Sequence, residues 1–466
     1  MRSPAGIALW ILIGCTSAPA APDAGSAIDA GAVDAARPDA ANPPDAASAP
    51  DAQPPTDAGP PPPTLDDALA RLTDPGATAA DLDALLHEIA WTHRWPLTDG
   101  TRWLFATRWA DPPGDVSLVS DVNSWTPSRA PATRAASGVH HYVVLDAAGF
   151  DLPAPGAKYK WHGAPDAFRA PPEATAYGHD AFGPFGYVAP PTDAAWRERF
   201  IAFDSAHLDA PRAFRALLPA GFSAGDPARV LFLHDGQNVF DPDAPHGGWR
   251  ADEALEDPAF ADVVVLAVDS AIDRMSAYTH VPDDIGAGGL VGGRADDYAR
   301  LVTEEALPFF RSRYGVDARG DDLVIGGSSL GGLVSLHLAL TEPVAMRCVI
   351  AMSSTLGWGA FADGASGADA LVRWWSGHGS VAIYLDSGGG GTCADADGDG
   401  VDEDSDDADN FCTTNQLRDR LADLGYAFDV DLFHWHEPGA PHTEAAWAAR
   451  LPRALEACAA AGWSAL

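Results

Sequence analysis

Positive charge is scarce in this chain. Its 466 residues include 29 lysines and arginines against 66 aspartates and glutamates, which gives a formal net charge of −37 at pH 7. A surface with this balance repels the phosphates of nucleic acids and of anionic lipids. We therefore exclude nucleic-acid binding as the function. A hydrophobic content of 47% still supplies a sizeable core, and the length allows two or three domains.

A long apolar run is missing from the N-terminus. Residues 1–15 have a basic start, the short apolar stretch Gly6–Ile13 and a cysteine at the end. This order is typical of a secretory signal peptide, and the stretch is too short to span a bilayer. Leu12–Cys15 resembles the lipobox of bacterial lipoproteins, which implies that Cys15 is lipidated; an ordinary cleaved signal is the alternative. We expect an exported protein whose only membrane contact is this lipid anchor, on the periplasmic or cell-surface side of a bacterial cell-envelope membrane.

Aromatic residues are absent between residues 16 and 64. This stretch consists almost entirely of alanine, proline, aspartate, glycine and serine, so it cannot bury enough apolar area to fold. Proline and regularly spaced aspartate favour extended conformations of about 3 Å per residue. We predict that residues 16–64 form a disordered linker that holds the folded part away from the membrane.

Cysteine is also rare, with five in the chain. If Cys15 carries lipid, four remain for an oxidising compartment. Cys393 and Cys412 bracket an aspartate-rich loop, and we predict that they form a disulfide. Cys348 lies in an apolar run and Cys458 in a predicted C-terminal helix, which favours two buried thiols over a bridge between them.

Residues 65–97 and 98–190 differ in their patterns. Apolar residues recur at helical spacing in the first segment, which predicts short helices. The second segment alternates short strand-like runs with Pro, Gly and Asp clusters, which predicts a small all-β sandwich. Within it, Val116–Trp125 resembles the early-Set, glycogen-binding-like module that precedes many glycan-active enzymes. We expect a spacer or a wall of the active-site cleft, with Trp125 in the core; sugar stacking on aromatic faces such as Trp161 is the alternative.

Short apolar runs alternate with helical segments from residue 191 to residue 466. The runs are mostly unalternating, as in strands that are buried on both faces of a parallel sheet. The predicted strands are Val230–Leu233, Val263–Val268, Leu323–Ile325, Val349–Ala351, Val381–Leu385 and Val430–Phe433. The predicted helices are Asp297–Arg313, Ser329–Thr341, Asn415–Leu424 and Glu444–Ala460. We therefore assign residues 191–466 to an α/β domain with a doubly wound, mostly parallel sheet.

A G-x-S-x-G pentapeptide, Gly327–Gly331, falls between a predicted strand and a predicted helix. This context is typical of a nucleophile elbow, in which small neighbours allow a strained turn and the helix N-terminus points at the reaction. A serine hydroxyl also needs a base within hydrogen-bond reach and a carboxylate that orients the base. We predict Ser329 as the nucleophile, with Ser328 as the second choice.

Candidates for the acid and the base follow in the chain order expected after such a serine. His442 lies in a Pro/Gly-rich loop before the last predicted helix, which favours a catalytic role; His434 and His436, at a strand end, are less favoured. Asp386 follows its strand directly, whereas Asp409 precedes a helix after an inserted segment. On these grounds alone the acid is either Asp386 or Asp409.

An oxyanion hole is predicted from two backbone amides. Gly236 frees the backbone after an early strand, so the amide of Gln237 could join that of Leu330. Four segments resemble the esterase D and enterochelin-esterase-like family of α/β-hydrolases: Leu233–Asp241, Tyr298–Tyr314, Gly326–Gly332 and Gly439–His442. The resemblance covers most of residues 195–460 and implies a serine esterase.

The family resemblance favours one of the two acids. S-formylglutathione hydrolases, which are relatives in that family, place the acid at the second aspartate of a G-x-D-D-x-F segment shortly before a helix. Asp409–Phe411 resembles the end of that segment, which implies Asp409 as the acid and Asp386 as the alternative. The chain departs from the family pattern by an insertion at residues 388–412.

The insertion has the spacing of a calcium loop. Its carboxylates stand at alternate positions before Gly400, although an aspartate occupies the place of the longer glutamate that normally closes such a loop. The expected ligands are Asp395, Asp397, Asp399, Val401, Glu403 and Asp406. We predict a structural calcium ion; a solvated acidic loop is the alternative. No redox cofactor or catalytic metal is implied.

These features together predict an exported serine esterase that forms an acyl-enzyme. Ser329 attacks the ester carbonyl, His442 transfers the proton and Asp409 orients the histidine. The resemblance to siderophore, feruloyl and acetyl esterases implies a small-molecule or polysaccharide ester as substrate. Ile272–Arg294 and Gly357–Ala368, which lack periodicity, are expected to form the lid and pocket. The alternatives are a non-catalytic glycan-binding surface lipoprotein on a hydrolase scaffold, and an acyltransferase with the same triad.

Overall fold

The computed structural model describes residues 62–240, 244, 247–286, 288–341, 345–362, 365–404 and 409–464. Four predicted features lie outside these residues: the signal peptide, the lipidation site Cys15, residues 16–61 of the linker, and Asp406 of the calcium loop. Within the described ranges, no helix has the length and apolar character that crossing a membrane requires.

The strands are β1 (Leu97–Thr98), β2 (Arg102–Arg108), β3 (Val116–Ser120), β4 (Thr133–Arg134), β5 (His140–Asp146), β6 (Lys158–Gly163), β7 (Ala167–Arg169), β8 (Ala176–Asp180), β9 (Gly183–Tyr187), β10 (Trp196–Phe203), β11 (Arg212–Leu218), β12 (Arg229–His234), β13 (Val263–Val268), β14 (Pro282–Asp283), β15 (Val291–Gly292), β16 (Gly320–Ser328), β17 (Met346–Met352), β18 (Ala382–Ser387) and β19 (Leu432–His436).

The helices are α1 (Leu65–Thr73), α2 (Ala79–Thr92), α3 (Ala147–Phe150), α4 (Ala251–Ala254), α5 (Arg274–Ala277), α6 (Ala295–Arg300), α7 (Leu307–Tyr314), α8 (Leu330–Thr341), α9 (Phe411–Asp423) and α10 (Glu444–Ala460). A π-helical segment, Leu301–Ala306, joins α6 to α7. Short 3₁₀ turns lie at Asp121–Asn123, Pro127–Arg129, Gly236–Asn238, Pro258–Phe260 and Leu371–Arg373.

The large sheet is parallel at its centre and antiparallel beyond. Its strand order is β19-β18-β17-β16-β12-β13-β11-β10-β8-β9-β6-β3, with β7 beside β6. Neighbouring strands from β19 to β13 in this order are parallel. Every pair of neighbours from β13–β11 onward to β3 is antiparallel. The sheet as a whole is therefore mixed. The carboxyl ends of β12, β16, β17 and β18 meet at one edge, where loops from an α/β sheet form a site.

Alternate residues of the central strands enter two hydrophobic cores, one on each face. Ile325 packs into the core that contains α8, while Val324 packs into the core that contains α10. This arrangement explains why the strand sequences are apolar without alternation. The two cores enclose the sheet between helical layers, as the α/β prediction expected.

A disulfide joins Cys348 on β17 to Cys458 on α10, with their Cα atoms 5.6 Å apart. The prediction of two buried thiols at these positions was wrong. Both cysteines are buried in the same core, so a strand and a helix that pack together bring the two sulfurs into contact. Apolar surroundings alone do not distinguish a buried thiol from a buried bridge.

The prediction also missed β10 and β11. On β10, the buried residues Trp196 and Phe200 alternate with the less buried Arg197 and Arg199. This alternation is typical of an antiparallel strand with one face toward solvent. These two strands connect the parallel centre to the strands that precede residue 191.

A second, four-stranded antiparallel sheet has the order β1-β2-β5-β4. Its residues Phe105 and Leu145 share a hydrophobic cluster with Leu118 of β3 and Trp161 of β6. However, β8 pairs with β10, so the layer that contains β3 and β6 continues into the large sheet across residue 190. Two packed β-layers are therefore present, but one of them belongs to the large sheet.

The environments of Trp125 and Trp161 are the reverse of those expected from the sequence. Trp161 is fully buried, so its ring has no free face for a sugar. Trp125 is only partly buried, lies outside the core clusters of the described residues, and donates from Nε1 to Asp121. The expectation of a core position for Trp125 was wrong, because its indole N–H is held by Asp121, an exposed residue.

Candidate active site

Ser329 lies in a sharp turn between β16 and α8. Its φ is +56°, which is rare for a residue with a side chain. The turn is held because the Ser329 N–H donates to the carbonyl of Met352 at 2.9 Å. A Cβ on Gly327 would lie 2.6 Å from the backbone carbon of Gly331. Gly327 is therefore required by the close approach of strand and helix, as a nucleophile elbow demands.

Ser329 is partly exposed, whereas the neighbouring Ser328 is buried. The Oγ of Ser329 lies 3.4 Å from the Oγ1 of Thr355, on the loop that follows β17. Within the described residues, Ser329 Oγ has no other hydrogen bond. Nothing in the sequence pattern indicated Thr355, because it approaches Ser329 only through the pairing of β16 with β17.

His442 and Asp409 form a close pair. Nδ1 of His442 lies 2.5 Å from Oδ1 of Asp409, and the two side chains are 22% and 1% exposed. Because the carboxylate accepts a hydrogen bond from Nδ1–H, the neutral imidazole presents Nε2 as an acceptor. The ring packs edge-on against Trp447, with the centroids 4.9 Å apart. This is the arrangement that a general base requires.

Ser329 and His442 are not hydrogen bonded to each other in the described part of the chain. The same short loop nevertheless contacts both halves of the site. Thr355 lies beside Ser329, and Ser353, two residues earlier, donates from Oγ to Oδ2 of Asp409 at 2.7 Å.

Asp386, the alternative acid, has different partners. Its Oδ2 accepts a hydrogen bond from the hydroxyl of Tyr384 at 3.0 Å and another from Nε of Arg450 at 3.2 Å. Burial raises the pKa of Asp386 to about 7, against the opposing effect of the Arg450 charge. Among the described contacts none joins Asp386 to His442. The carboxylate that meets the histidine is therefore that of Asp409.

The alternative histidines also lie apart from these carboxylates. Burial lowers the pKa of His434 to about 4, and the nearby Arg418 charge adds to this effect. His436 donates from Nε2 to the carbonyl of Gly389 at 3.2 Å. Neither ring is bonded to Asp409 or Asp386 in the described ranges.

The predicted oxyanion amides are on rigid backbone. Gln237 lies in the 3₁₀ turn after β12, where its Nε2 donates to Ser270 Oγ at 2.8 Å and its Oε1 accepts from Ser270 N–H at 2.9 Å. Leu330 is the first residue of α8. Within the described residues, neither amide N–H donates to a protein atom. A helix N-terminus favours negative charge beside Leu330.

An ion pair that was not predicted from the sequence supports the 3₁₀ turn after β12. Asp235 has a φ of +56° and accepts from Nε and Nη2 of Arg274 at 2.7 and 2.8 Å. Burial acts to raise the pKa of Asp235, but the adjacent guanidinium outweighs burial and holds it below its usual value. The pair fixes the backbone immediately before Gly236 and Gln237.

The two segments expected to form the lid and pocket are tied together. Asp283, buried at the end of β14, accepts hydrogen bonds from the backbone N–H groups of Gly359, Phe361 and Ala362 at 2.7, 3.1 and 3.2 Å. One carboxylate thus fixes the loop that begins beside Ser329.

The loop predicted to bind calcium contains one compact carboxylate group. Asp395, Asp397 and Glu403 each offer an oxygen, and these oxygens lie within 4.8 Å of one another. Asp399 is outside this group and accepts from the Val401 N–H at 2.7 Å. Burial raises the pKa of Asp399, and the neighbouring carboxylates add to this effect. The donor set of three carboxylates suits a hard divalent cation.

The loop is closed by the predicted disulfide. Cys393 and Cys412 are bonded, with their Cα atoms 5.2 Å apart, and this prediction is confirmed. Cys412 lies in the first turn of α9, three residues after Asp409. The bridge therefore connects the insertion to the segment that carries the carboxylate partner of His442.

Comparison with known proteins places these features in a family. Residues 205–458, which contain Ser329, Asp409 and His442, match the family described as "Putative esterase". Among curated proteins, none matches the chain significantly.

Several of the solved structures to which the chain is similar are esterases. The enterobactin esterase of Shigella flexneri is 15% identical over 77% of this chain and 94% of that chain, with a TM-score of 0.41. A ferulic acid esterase is 15% identical over 57% of this chain and 99% of that chain, also with a TM-score of 0.41. An IroE-like serine hydrolase from Shewanella oneidensis is 16% identical over 55% and 79%, with a TM-score of 0.43. Because the family match covers more than half of the residues, the chain belongs to this family of esterases and has an α/β-hydrolase-like fold with a mixed sheet.

Proposed function

We propose that the protein is an exported serine esterase that hydrolyses a carboxylic ester through an acyl-enzyme. One observation carries the proposal: the loop 353–355 contacts both Ser329, through Thr355, and the Asp409–His442 pair, through Ser353. A nucleophile at an elbow and a base oriented by a carboxylate are thereby assembled around one loop, at the carboxyl edge of the parallel strands.

The chemistry follows from these positions. Nε2 of His442 takes the proton of Ser329 Oγ as that oxygen attacks the ester carbonyl, and the amides of Leu330 and Gln237 stabilise the oxyanion. The tetrahedral intermediate collapses when the imidazolium returns the proton to the leaving alcohol. Water then attacks the acyl-enzyme as His442 takes its proton. The imidazolium returns that proton to Ser329 Oγ when the bond to the acyl group breaks and the acid leaves, and Asp409 stabilises each imidazolium.

The charge of the protein bears on the substrate. With a net charge of −37, the chain approaches a neutral ester more readily than a polyanionic one. We therefore favour an acetyl or feruloyl ester of a carbohydrate, or another aryl ester, over an anionic siderophore ester.

The experiment uses a fluorophosphonate probe and three proteins: the wild type, Ser329→Ala and the matched control Ser328→Ala. We expect labelling of the wild type and of Ser328→Ala, and no labelling of Ser329→Ala. In a panel of acetyl, feruloyl and siderophore esters, the wild type and Ser328→Ala should hydrolyse at least one ester, and Ser329→Ala should hydrolyse none. A wild type that takes up no label and hydrolyses none of these esters would refute the proposal.

We also propose the export and anchoring that the N-terminal sequence predicts. The supporting observation is the lipobox-like ending at Cys15 followed by the linker. In a bacterial host fed a labelled fatty acid, the wild type should incorporate label and sediment with membranes, whereas Cys15→Ala should do neither. Strands β1 to β9 would then serve as an early-Set-like spacer or cleft wall.

A structural calcium ion is proposed for the group Asp395, Asp397 and Glu403. Three carboxylate oxygens within 4.8 Å support it, as does the EF-hand-like spacing of the loop. When bound, the ion would neutralise the repulsion among these side chains and stiffen the insertion next to the Cys393–Cys412 bridge.

A further inference from the structure

Ser353 lies directly after β17, completely buried beneath the Asp409–His442 pair. Its Oγ contacts three side chains. Nη2 of Arg450 lies 2.7 Å away, Nε1 of Trp447 lies 3.0 Å away, and Oδ2 of Asp409 lies 2.7 Å away. The serine therefore connects the last helix, α10, to the carboxylate that meets the histidine.

The direction of the hydroxyl proton follows from the chemistry of these partners. A guanidinium and an indole N–H are donors only, whereas a hydroxyl has one proton and two lone pairs. Arg450 and Trp447 therefore occupy both lone pairs of Ser353 Oγ. The remaining proton points to Oδ2 of Asp409, which is the acceptor in reach.

The backbone of Ser353 is held equally firmly. Its N–H donates to the carbonyl of Asp386 at 2.8 Å, and its carbonyl accepts from Nδ2 of Asn410 at 2.6 Å. Its φ is +44°, a conformation that persists in residues with side chains only when the surroundings impose it. Such outliers concentrate at functional sites.

We infer that Ser353 is a positioning residue for the reaction: its hydroxyl, locked as a donor by Arg450 and Trp447, holds Oδ2 of Asp409 and so reserves Oδ1 for His442. This inference rests on the proposed esterase function. The Gly388 N–H is the second donor to Oδ2, at 2.5 Å. With both oxygens engaged, the carboxylate cannot rotate about its Cβ–Cγ bond without breaking hydrogen bonds.

The charges around Asp409 come from several elements. Arg450 of α10 lies 3.6 Å from Oδ2, and Asp386 of β18 shares that arginine. Asp404 of the insertion also interacts with Asp409 through space. The hydroxyl of Ser353 withdraws negative charge from Asp409, so its removal leaves a stronger anion beside the imidazole and favours the protonated histidine.

The test compares Ser353→Ala with the matched control Ser354→Ala. Ser354 is the next residue and is also buried, but its Oγ has no hydrogen-bond partner among the described residues. We expect Ser353→Ala to lower kcat by about 10-fold to 100-fold with little change in KM, because the base is less well oriented. The acid limb of its kcat/KM profile should also move to higher pH. Ser354→Ala should match the wild type in all three respects.

A merely structural role would lower activity without moving the acid limb. An unshifted profile for Ser353→Ala would therefore overturn the inference. If Ser353→Ala does not fold, Trp447→Phe is the second variant, because it removes one donor to Ser353 and keeps a ring beside His442. It should shift the acid limb in the same direction by a smaller amount, and no shift would again contradict the inference.

Failure of the proposed function is distinguishable from failure of this inference. If the wild type neither labels at Ser329 nor turns over an ester, the function fails. The low-field proton resonance of the His442–Asp409 hydrogen bond can still be measured in that case. We expect it in the wild type and in Ser354→Ala, and shifted or lost in Ser353→Ala; an unchanged resonance refutes the positioning role independently of activity.

Discussion

Oδ1 of Asp409 lies 2.5 Å from Nδ1 of His442, although Asp386 is the carboxylate that lies on β18, one residue before the strand ends. The insertion therefore separates the strand from the residue that meets the histidine. Asp386 remains buried nearby and shares Arg450 with Asp409. Two carboxylates thus surround one arginine, and only one of them reaches the imidazole.

Exchanging each carboxylate for an amide separates their roles. We expect Asp409→Asn to lower kcat by about 10³-fold to 10⁴-fold, because an amide does not hold the imidazole in the required tautomer or stabilise its protonated form. Asp386→Asn should retain most of the activity, because its partners Tyr384 and Arg450 can still donate to the amide oxygen. Steady-state kinetics with thermal melts as a folding control would check this. Equal losses in the two variants would contradict it.

Asp386 should also make stability depend on pH. Burial raises its pKa from 3.8 to about 7, with Arg450 opposing, so the folded protein holds this proton more tightly than the unfolded chain. The resulting stabilisation is fully present below about pH 4 and is lost as the pH rises through about 7. The wild type should therefore lose stability relative to Asp386→Asn over this range. Urea unfolding of both proteins at several pH values measures the difference, and parallel curves would refute the prediction.

The parts of the site that the sequence predicted are those with local signals. The pentapeptide around Ser329 carries its own turn chemistry, and the strand before it and the helix after it have clear patterns. The loop that contains His442 is similarly marked by proline and glycine. For Asp409, the residues themselves left two acids open, and only the resemblance to a family favoured one of them.

The parts that the sequence did not predict depend on contacts between distant segments. Thr355 and Ser353 reach the site because β17 lies beside β16 and β18. A serine or threonine in a loop has no sequence pattern that predicts such a position. The bridge between Cys348 and Cys458 requires knowledge that β17 packs on α10. The strand β10 was not predicted, although buried residues alternate with arginines along it as in a half-buried strand.

The two disulfides should differ in their effects on thermal stability and on kcat. Removing a bridge releases chain entropy in the unfolded state, which costs about 3 kcal/mol for the 19-residue separation of Cys393 and Cys412 and about 5 kcal/mol for the 110-residue separation of Cys348 and Cys458. We expect the Cys348→Ala/Cys458→Ala variant to melt lower and keep its kcat while folded. The Cys393→Ala/Cys412→Ala variant should melt less far below the wild type and lose more kcat, because its bridge adjoins Asp409. Melting temperatures, and kcat measured below the melting temperature of each variant, test this prediction. A larger loss of kcat in the Cys348→Ala/Cys458→Ala variant would contradict it.

Calcium should stabilise the insertion. If Asp395, Asp397 and Glu403 bind the ion, a chelator should lower the melting temperature and the activity together, and added calcium should restore both. The Asp397→Asn/Glu403→Gln variant should not respond to the chelator. Asp423→Asn, which changes an exposed carboxylate on α9, should respond like the wild type. A wild-type melt that is the same with and without calcium would remove the proposed ion.

Asp283 should control the rigidity of the loop beside Ser329. Its replacement by alanine leaves the N–H groups of Gly359, Phe361 and Ala362 without their acceptor, and a hydrogen bond to a charged group contributes about 1.5 to 3 kcal/mol. We expect Asp283→Ala to lower the free energy of unfolding by at least about 2 kcal/mol. KM should rise more than kcat falls, because the loosened loop shapes the pocket and holds no reacting proton. The matched control is Asp284→Ala, which removes an exposed carboxylate that, among the described residues, accepts only from the Gly286 N–H. If the two variants unfold at the same urea concentration, the carboxylate of Asp283 is not what holds this loop.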